Sequence, residues 1–144
     1  MKDQYLDFLR RRIDAIVPGA SDRLGEVDRL PGDLGLAILG EIIATGCTAQ
    51  NGRNITAGRE LASQLPRKWL ETAVAEVAAT TLDLEDEWEY RRLLELLQHV
   101  GLNAFNDFIR RGLVSQNPEV QEAAIDMQSV DLSGQGEVND GLER

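Results

Sequence analysis

The densest group of acidic side chains lies between residues 83 and 89, beside two large aromatic residues. The acids are Asp83, Glu85, Asp86, Glu87 and Glu89, and the aromatic residues are Trp88 and Tyr90. Carboxylates of this kind can bind a divalent cation or a basic partner. A calcium loop of the EF-hand type needs oxygen ligands at alternating positions and a central glycine, and this segment has neither. A third interpretation is purely structural, because acids in a first turn stabilise the positive end of a helix.

We predict a partner-binding surface in this segment, because five acids within seven residues exceed what a helix start requires. Its predicted members are Asp83, Glu85, Asp86, Glu87, Trp88 and Tyr90. Trp and Tyr are frequent anchors of protein interfaces. Trp88 is either a core residue or, if exposed, such an anchor. The prediction fails if Trp88 and Tyr90 are both fully buried while the acids pair with Arg91 and Arg92.

A second candidate site is the polar stretch 47–59, which we expect to form a loop. Loops on rigid scaffolds often hold functional residues. Four of its side chains could bind a carboxylate or a phosphate: Asn51, Arg53, Asn54 and Arg59. This site would make the protein a small-ligand-binding or enzymatic domain. The competing interpretation is a plain surface connection between two helices.

Recognisable catalytic motifs are absent from the sequence. Cys47 and His99 are the sole cysteine and histidine, so the chain can form neither an internal disulfide nor a cysteine-based zinc site. No phosphate-binding glycine loop, zinc-protease motif or nucleophile elbow occurs. We therefore predict no catalytic residue, no metal and no cofactor. The sequence gives no support for enzyme activity.

The overall charge restricts the class of partner. Fifteen basic and 25 acidic side chains give a formal net charge of −10. Nucleic-acid binding depends on neutralising phosphates with Lys and Arg, so a negative field opposes it. The charge favours a basic protein partner, although it can also serve solubility alone.

The spacing of apolar residues predicts an all-α domain of six or seven helices. Leu34–Thr45 is apolar almost all round and should form the central helix, capped by Asp33 and ended by Gly46. Six further helices are predicted: Lys2–Val17; one that Asn54 or Thr56 caps and that ends at Leu65; Pro66–Thr80; Leu84–Val100, capped by Asp83 and ended by Gly101; Leu102–Leu113, with Leu102, Phe105, Phe108 and Ile109 inward; and Ser115–Met127, with Asn117 as cap, Pro118 as first residue and Glu119 in the first turn. A short helical stretch from Ser21 to Leu30, not counted among these, can follow the first helix. We expect one domain over 1–127 and a flexible acidic tail over 128–144, because that last stretch is rich in glycine and has no periodicity.

A weak internal repeat relates residues 89–97 to residues 119–127 at an offset of 30 residues. The segment 115–124 has a short turn, an acid, a β-branched residue and then paired alanines, and in this it resembles the second helix of a HEAT-like repeat. The resemblance covers roughly 66–127. It implies antiparallel helix pairs, 66–100 and 102–127, in a short α-α superhelix that serves as a binding scaffold. It implies no catalytic residues.

No targeting segment is visible, and the most apolar stretch, 34–44, is about half the length that a bilayer requires. We expect a cytoplasmic protein that does not bind membranes. The leading functional hypothesis is a non-enzymatic protein–protein interaction module. Its most concrete version is a small acidic immunity or inhibitor protein that meets a basic toxin or nuclease.

Overall fold

Helices make up most of residues 3–128, which are the residues that the computed structural model describes. The α-helices are α1 (Gln4–Ile16), α2 (Gly32–Thr48), α3 (Gly52–Ala62), α4 (Arg67–Thr81), α5 (Glu87–Val100), α6 (Ala104–Leu113) and α7 (118–128), and two short 3₁₀ segments cover Ala20–Asp22 and Leu24–Arg29. No strand occurs within residues 3–128. The all-α prediction is confirmed.

Side-chain caps fix the starts of several helices. Asp3 accepts hydrogen bonds from two backbone N–H groups of α1, and Asn51 accepts one from the first turn of α3. Asn117 accepts one from the N–H of Glu119 at 2.9 Å, so the sequence 117–119 starts α7 as predicted. At the other end of α5, Gly101 adopts a left-handed conformation with φ of 80° and ends the helix, also as predicted.

Helix α2 is the centre of the fold. It packs against α1, α3, α4 and α5. Of the five residues of this helix predicted to face the core, Ile38, Leu39, Ile42 and Ile43 are fully or almost fully buried, whereas Leu36 is partly buried. Burial on several sides explains why this helix is apolar almost all round.

Helices α2 and α3 cross at two glycines, which the sequence prediction missed. A Cβ atom added to Gly58 would lie 2.6 Å from the Cα of Gly46, a distance that real Cβ atoms do not tolerate. Gly46 therefore lies inside α2, where it allows this close approach, and does not end the helix. The helix continues through Cys47 to Thr48, whose hydroxyl donates to the carbonyl of Ala44 at 2.6 Å.

Several predicted boundaries are wrong for local reasons. The N-cap of α2 is Pro31, and Asp33 lies in the first turn of that helix. The predicted start of α5 at Leu84 is three residues early, because Asp86 and not Asp83 accepts the capping bond from Glu89. The stretch 47–59 is not a loop, since α2 extends to residue 48 and α3 begins at residue 52. Likewise α3 is capped by Asn51 and ends at Ala62.

In the C-terminal half, α4 and α5 pack more extensively on α2 than on each other, and both also contact α6. The predicted inward residues of the α6 region, Leu102, Phe105, Phe108 and Ile109, are all buried. Organisation around a central helix accounts for this packing without a repeat, and the HEAT-like superhelix stays a prediction. The predicted tail lies outside the described residues, apart from its first residue, Gln128, which belongs to α7.

None of the helices in the described part of the chain has both the length and the apolar character that crossing a membrane requires.

Candidate interaction surface

The acidic segment 83–89 forms the turn before α5 and the first turn of that helix. Within it, the Glu85 N–H donates to Asp83 Oδ1 at 3.0 Å, and the Glu89 N–H donates to Asp86 Oδ1 at 3.1 Å. The Asp83 N–H donates in return to Glu89 Oε1 at 2.9 Å. Three of the acids therefore hold the turn and cap the helix, as the structural interpretation of this segment expects.

The turn is also fastened to the start of α7. The Ser115 hydroxyl donates to Glu85 Oε1 at 2.5 Å, and the Asn117 side-chain amide donates to the Glu85 carbonyl at 2.8 Å. The acidic segment is therefore positioned by α7 as well as by its own hydrogen bonds. Such fixation from both sides gives the surface a defined shape.

Hydrogen bonding positions these carboxylates but leaves most of their charge unneutralised. Within residues 3–128, Glu87 is the one acid of this segment in an ion pair, with Arg91 at 3.2 Å. Arg91 also lies 3.6 Å from Asp126 of α7, so two acids share that cation. Four carboxylates, those of Asp83, Glu85, Asp86 and Glu89, face solvent or the turn without a cation partner in the described part of the chain.

Tyr90 does not belong to this surface, and its prediction as a partner-binding residue is wrong. The side chain is fully buried, and its hydroxyl donates to the carbonyl of Phe108 in α6 at 2.7 Å. The hydroxyl fits because residue 112 is glycine, and a Cβ atom there would overlap it. Burial raises the pKa of Tyr90 to about 12. Tyr90 joins α5 to α6.

Trp88 is exposed. Of the two interpretations of this residue, core residue or exposed interface anchor, the structure excludes the first. Trp88 retains 41% of its surface, and the guanidinium carbon of Arg92 lies 3.9 Å from its ring centroid. A cation this close to an indole face is attracted by the ring quadrupole. Arg92 therefore restrains the orientation of the ring while a large part of it remains accessible.

A line of charged side chains continues from Trp88 along the outer face of α5, and the sequence prediction missed it. Arg92 Nη1 and Arg59 Nη2 of α3 each contact the same oxygen, Glu95 Oε1, at 2.7 Å. The positions 88, 92, 95 and 99 recur at helical spacing, which is a signal that the sequence contains. Contact with Arg59 could not be found in this way, because it depends on how α3 packs beside α5.

The residues of the second candidate site do not form one cluster. Asn51 caps α3, its amide lies 3.4 Å from the Tyr5 hydroxyl, and the Arg53 guanidinium lies 5.9 Å from the Tyr5 ring. Asn54 lines a cavity of about 230 Å³ with residues of α1 and α2. Arg59 instead faces α5. The structure thus brings three of the four residues near α1 and places the fourth elsewhere.

Cys47 is buried beneath α3 and α5, close enough to Arg59 and Glu95 to be affected by their charges. Burial raises the pKa of its thiol to about 12, so the thiol stays protonated at neutral pH and is a poor nucleophile. Within residues 3–128, no three His, Cys, Asp or Glu side chains are arranged to hold a metal ion.

Comparison of the chain with models of protein families, with curated proteins and with solved structures gave no match.

Proposed function

We propose that the protein is a non-enzymatic interaction module that binds a basic protein at the N-terminal end of α5. The observation behind the proposal is Trp88, an exposed indole that Arg92 restrains at 3.9 Å beside a group of unneutralised carboxylates. A restrained aromatic ring loses little conformational freedom when a partner covers it, so more of the contact energy is available for binding.

Charge supports a basic partner. Four acids around Trp88 have no ion-pair partner within the described residues, and the whole chain has a formal charge of −10. Complementary charge accelerates the encounter of two proteins and disfavours partners of the same sign. An exposed indole can also accept a partner's Lys or Arg side chain on its ring. The carboxylates would then attract the partner, and Trp88 beside them would be buried in the interface.

The most concrete version of the proposal is an immunity or inhibitor protein, which would neutralise a basic toxin or nuclease by covering its cationic surface. A small acidic helical domain suits that role. Charge, size and the exposed anchor support this version of the proposal.

The test is a capture experiment from the cell that makes the protein, with wild type and two variants as bait. Trp88→Ala removes the proposed anchor. Phe8→Ala is the matched control, because Phe8 is also exposed, at 52%, and also lies beneath an arginine, Arg12, at 5.8 Å. We expect a basic protein to be retained by wild type and by Phe8→Ala, to be lost with Trp88→Ala, and to be released by salt.

The purified partner then allows a test of the charges. The triple variant Glu85→Gln/Asp86→Asn/Glu89→Gln keeps acceptor oxygens for the turn while it removes three charges. Its control removes three exposed charges from the segment before and at the start of α2: Glu26→Gln/Asp28→Asn/Asp33→Asn. Only the first should slow association strongly and flatten its dependence on salt. Retention of the partner by Trp88→Ala at wild-type level, or no specific capture at low salt, would contradict the proposal.

A further inference from the structure

A cleft of about 350 Å³ lies between α3 and α5, next to the line of charged residues on α5. The residues that line it are Thr56, Arg59, Glu60, Ser63 and His99. Each of the five has a polar group, although more of the accessible surface of the cleft is apolar than polar. The polar groups are the Arg59 guanidinium, the exposed Glu60 carboxylate, two hydroxyls and one imidazole. Ligand sites in proteins have volumes of roughly 300–1,000 Å³, so the cleft is large enough for a small metabolite.

Arg59 is held in place at the edge of this cleft by a chain of contacts. Its Nη2 donates to Glu95 Oε1 at 2.7 Å, Glu95 is held by Arg92 at 2.7 Å, and Arg92 stacks on Trp88. A free surface arginine has about 2 kcal/mol of rotamer entropy to lose when it binds a ligand. Fixation by Glu95 removes part of that cost before any ligand arrives.

The Arg59 guanidinium has unused hydrogen-bonding capacity. It contains five N–H donors in a planar fork that matches a carboxylate. Within residues 3–128 its one hydrogen bond is that from Nη2 to Glu95, and the Nε atom, which also has no partner there, is buried. Nη1 is therefore the donor group that a ligand in the cleft can reach. Glu60, the next residue, has an exposed carboxylate and no ion pair in the same part of the chain. The cleft is thus lined by Arg59, which can donate to an anion, and by Glu60, which can accept from a cation.

We infer that this cleft binds a small polar zwitterion, a molecule with a carboxylate and an ammonium group such as a free α-amino acid. The carboxylate binds Arg59, with the His99 ring and the Thr56 hydroxyl as further hydrogen-bonding groups, and the ammonium binds Glu60. The Ser63 hydroxyl already donates to the Arg59 carbonyl at 3.0 Å and does not serve the carboxylate. An apolar ligand that covered the Arg59 guanidinium or the Glu60 carboxylate would leave a charged group without a partner. The carboxylates of Glu60 and Glu95 disfavour a dianion such as phosphate.

The inference is independent of the protein partner at the start of α5, so its test avoids Trp88. ¹⁵N-labelled full-length protein is titrated with L-serine, L-asparagine and L-glutamine, and amide chemical shifts are followed by NMR. We expect saturable shifts in α3 and at the C-terminal end of α5 with at least one of them. N-acetyl-L-glutamine, which lacks the ammonium, L-glutaminamide, which lacks the carboxylate, and inorganic phosphate should all bind more weakly than L-glutamine.

Two variants separate the roles of the charged groups. Arg59→Gln should weaken binding about tenfold or more, which is the loss expected for a charge-assisted hydrogen bond. Arg53→Gln is its control, because it removes the same charge from the same helix on the side that faces Tyr5. Glu60→Gln should weaken L-glutamine but not N-acetyl-L-glutamine, and Glu76→Gln on α4 is its control.

Three results would overturn the inference. The first is the absence of saturable shifts with all three amino acids. The second is binding of phosphate or N-acetyl-L-glutamine as tight as that of L-glutamine, which would indicate an unselective cationic patch. The third is an equal loss of binding in Arg53→Gln and Arg59→Gln. Circular dichroism of each variant shows whether the fold is retained, and both Glu60 and Arg53 are exposed, so we expect it to be.

Discussion

The inner and outer faces of α5 use large aromatic residues in opposite ways. On the inner face, Tyr90 is fully buried, and its hydroxyl donates to the Phe108 carbonyl at 2.7 Å. On the outer face, Trp88 is 41% exposed and is restrained by a cation, Arg92, that is itself partly buried. The two residues are separated by two positions, which is about 200° around a helix.

The difference between Tyr90 and Trp88 shows which contacts make an aromatic residue part of the protein core. Tyr90 has a partner for its polar atom and a gap for its hydroxyl at Gly112, both supplied by α6. Trp88 has only contacts that leave much of its ring in water. Burial together with a satisfied polar atom makes a residue part of the framework. Restraint without burial leaves it available to a partner.

The largest change in stability that we expect comes from filling the space beside the Tyr90 hydroxyl, on the inner face of α5. Gly112→Ala places a Cβ atom against the Tyr90 hydroxyl and near the Cβ of Ala124. We expect the free energy of unfolding to fall by about 1–3 kcal/mol, the usual range for overpacking a core. Urea denaturation measures it.

Two further variants make this result specific to the gap. Gly52→Ala at the start of α3 meets no atom within 4 Å and should leave stability close to wild type. Adding Tyr90→Phe to Gly112→Ala removes the obstructing oxygen and should recover part of the loss. A fully tolerated Gly112→Ala would show that the inner face is not the tightly fitted one.

The pH dependence of stability should also originate at buried groups. Burial raises the pKa of Cys47 from 9.0, and that of Tyr90 from 10.0, to about 12. The unfolded chain therefore loses these protons at lower pH than the folded one. The stability that they contribute is complete below about pH 9 and is lost as the pH rises from 9 to 12, with a slope of about 1.4 kcal/mol per pH unit for each proton.

Variants of the two faces should respond differently to high pH. Tyr90→Phe removes one of the two protons, so its stability should fall less steeply than that of wild type between pH 10 and 12. Trp88→Ala has no ionisable group removed and should keep the wild-type slope. Urea denaturation at pH 8, 10 and 11 distinguishes the two, and parallel curves for all three proteins would contradict the inner-face assignment.

Local patterns in the sequence were sufficient to predict most helices. The inward residues of the α6 region and the start of α7 at Asn117 and Pro118 depend on periodicity and on capping, which are local properties. The end of α2 could not be predicted in this way. Gly46 resembles a helix terminator until it is known that Gly58 of another helix lies against it.

The candidate site was predictable only in part, for the same reason. The acidic segment and Trp88 are visible in the sequence, but the burial of Tyr90 depends on a glycine 22 positions later. The ion pair between Arg59 and Glu95 joins residues 36 positions apart. A single sequence shows which side chains could meet, whereas the packing of α3, α5 and α6 decides which of them do.

The smallest effect that we expect concerns the contact between Trp88 and Arg92. A double-mutant cycle with Trp88→Ala, Arg92→Ala and the combined variant isolates their coupling from the bond that Arg92 makes to Glu95. Exposed cation–π contacts contribute about 0.5–1 kcal/mol, so the coupling between Trp88 and Arg92 should lie in that range. It should be smaller than the stability lost in Gly112→Ala. It should also be smaller than the coupling between Gly112→Ala and Tyr90→Phe. It should also decrease in salt, because both side chains reach solvent. A coupling larger than that of the inner-face pair would mean that Trp88 is held as firmly as Tyr90, and the outer face of α5 would then be framework and not a surface open to a partner.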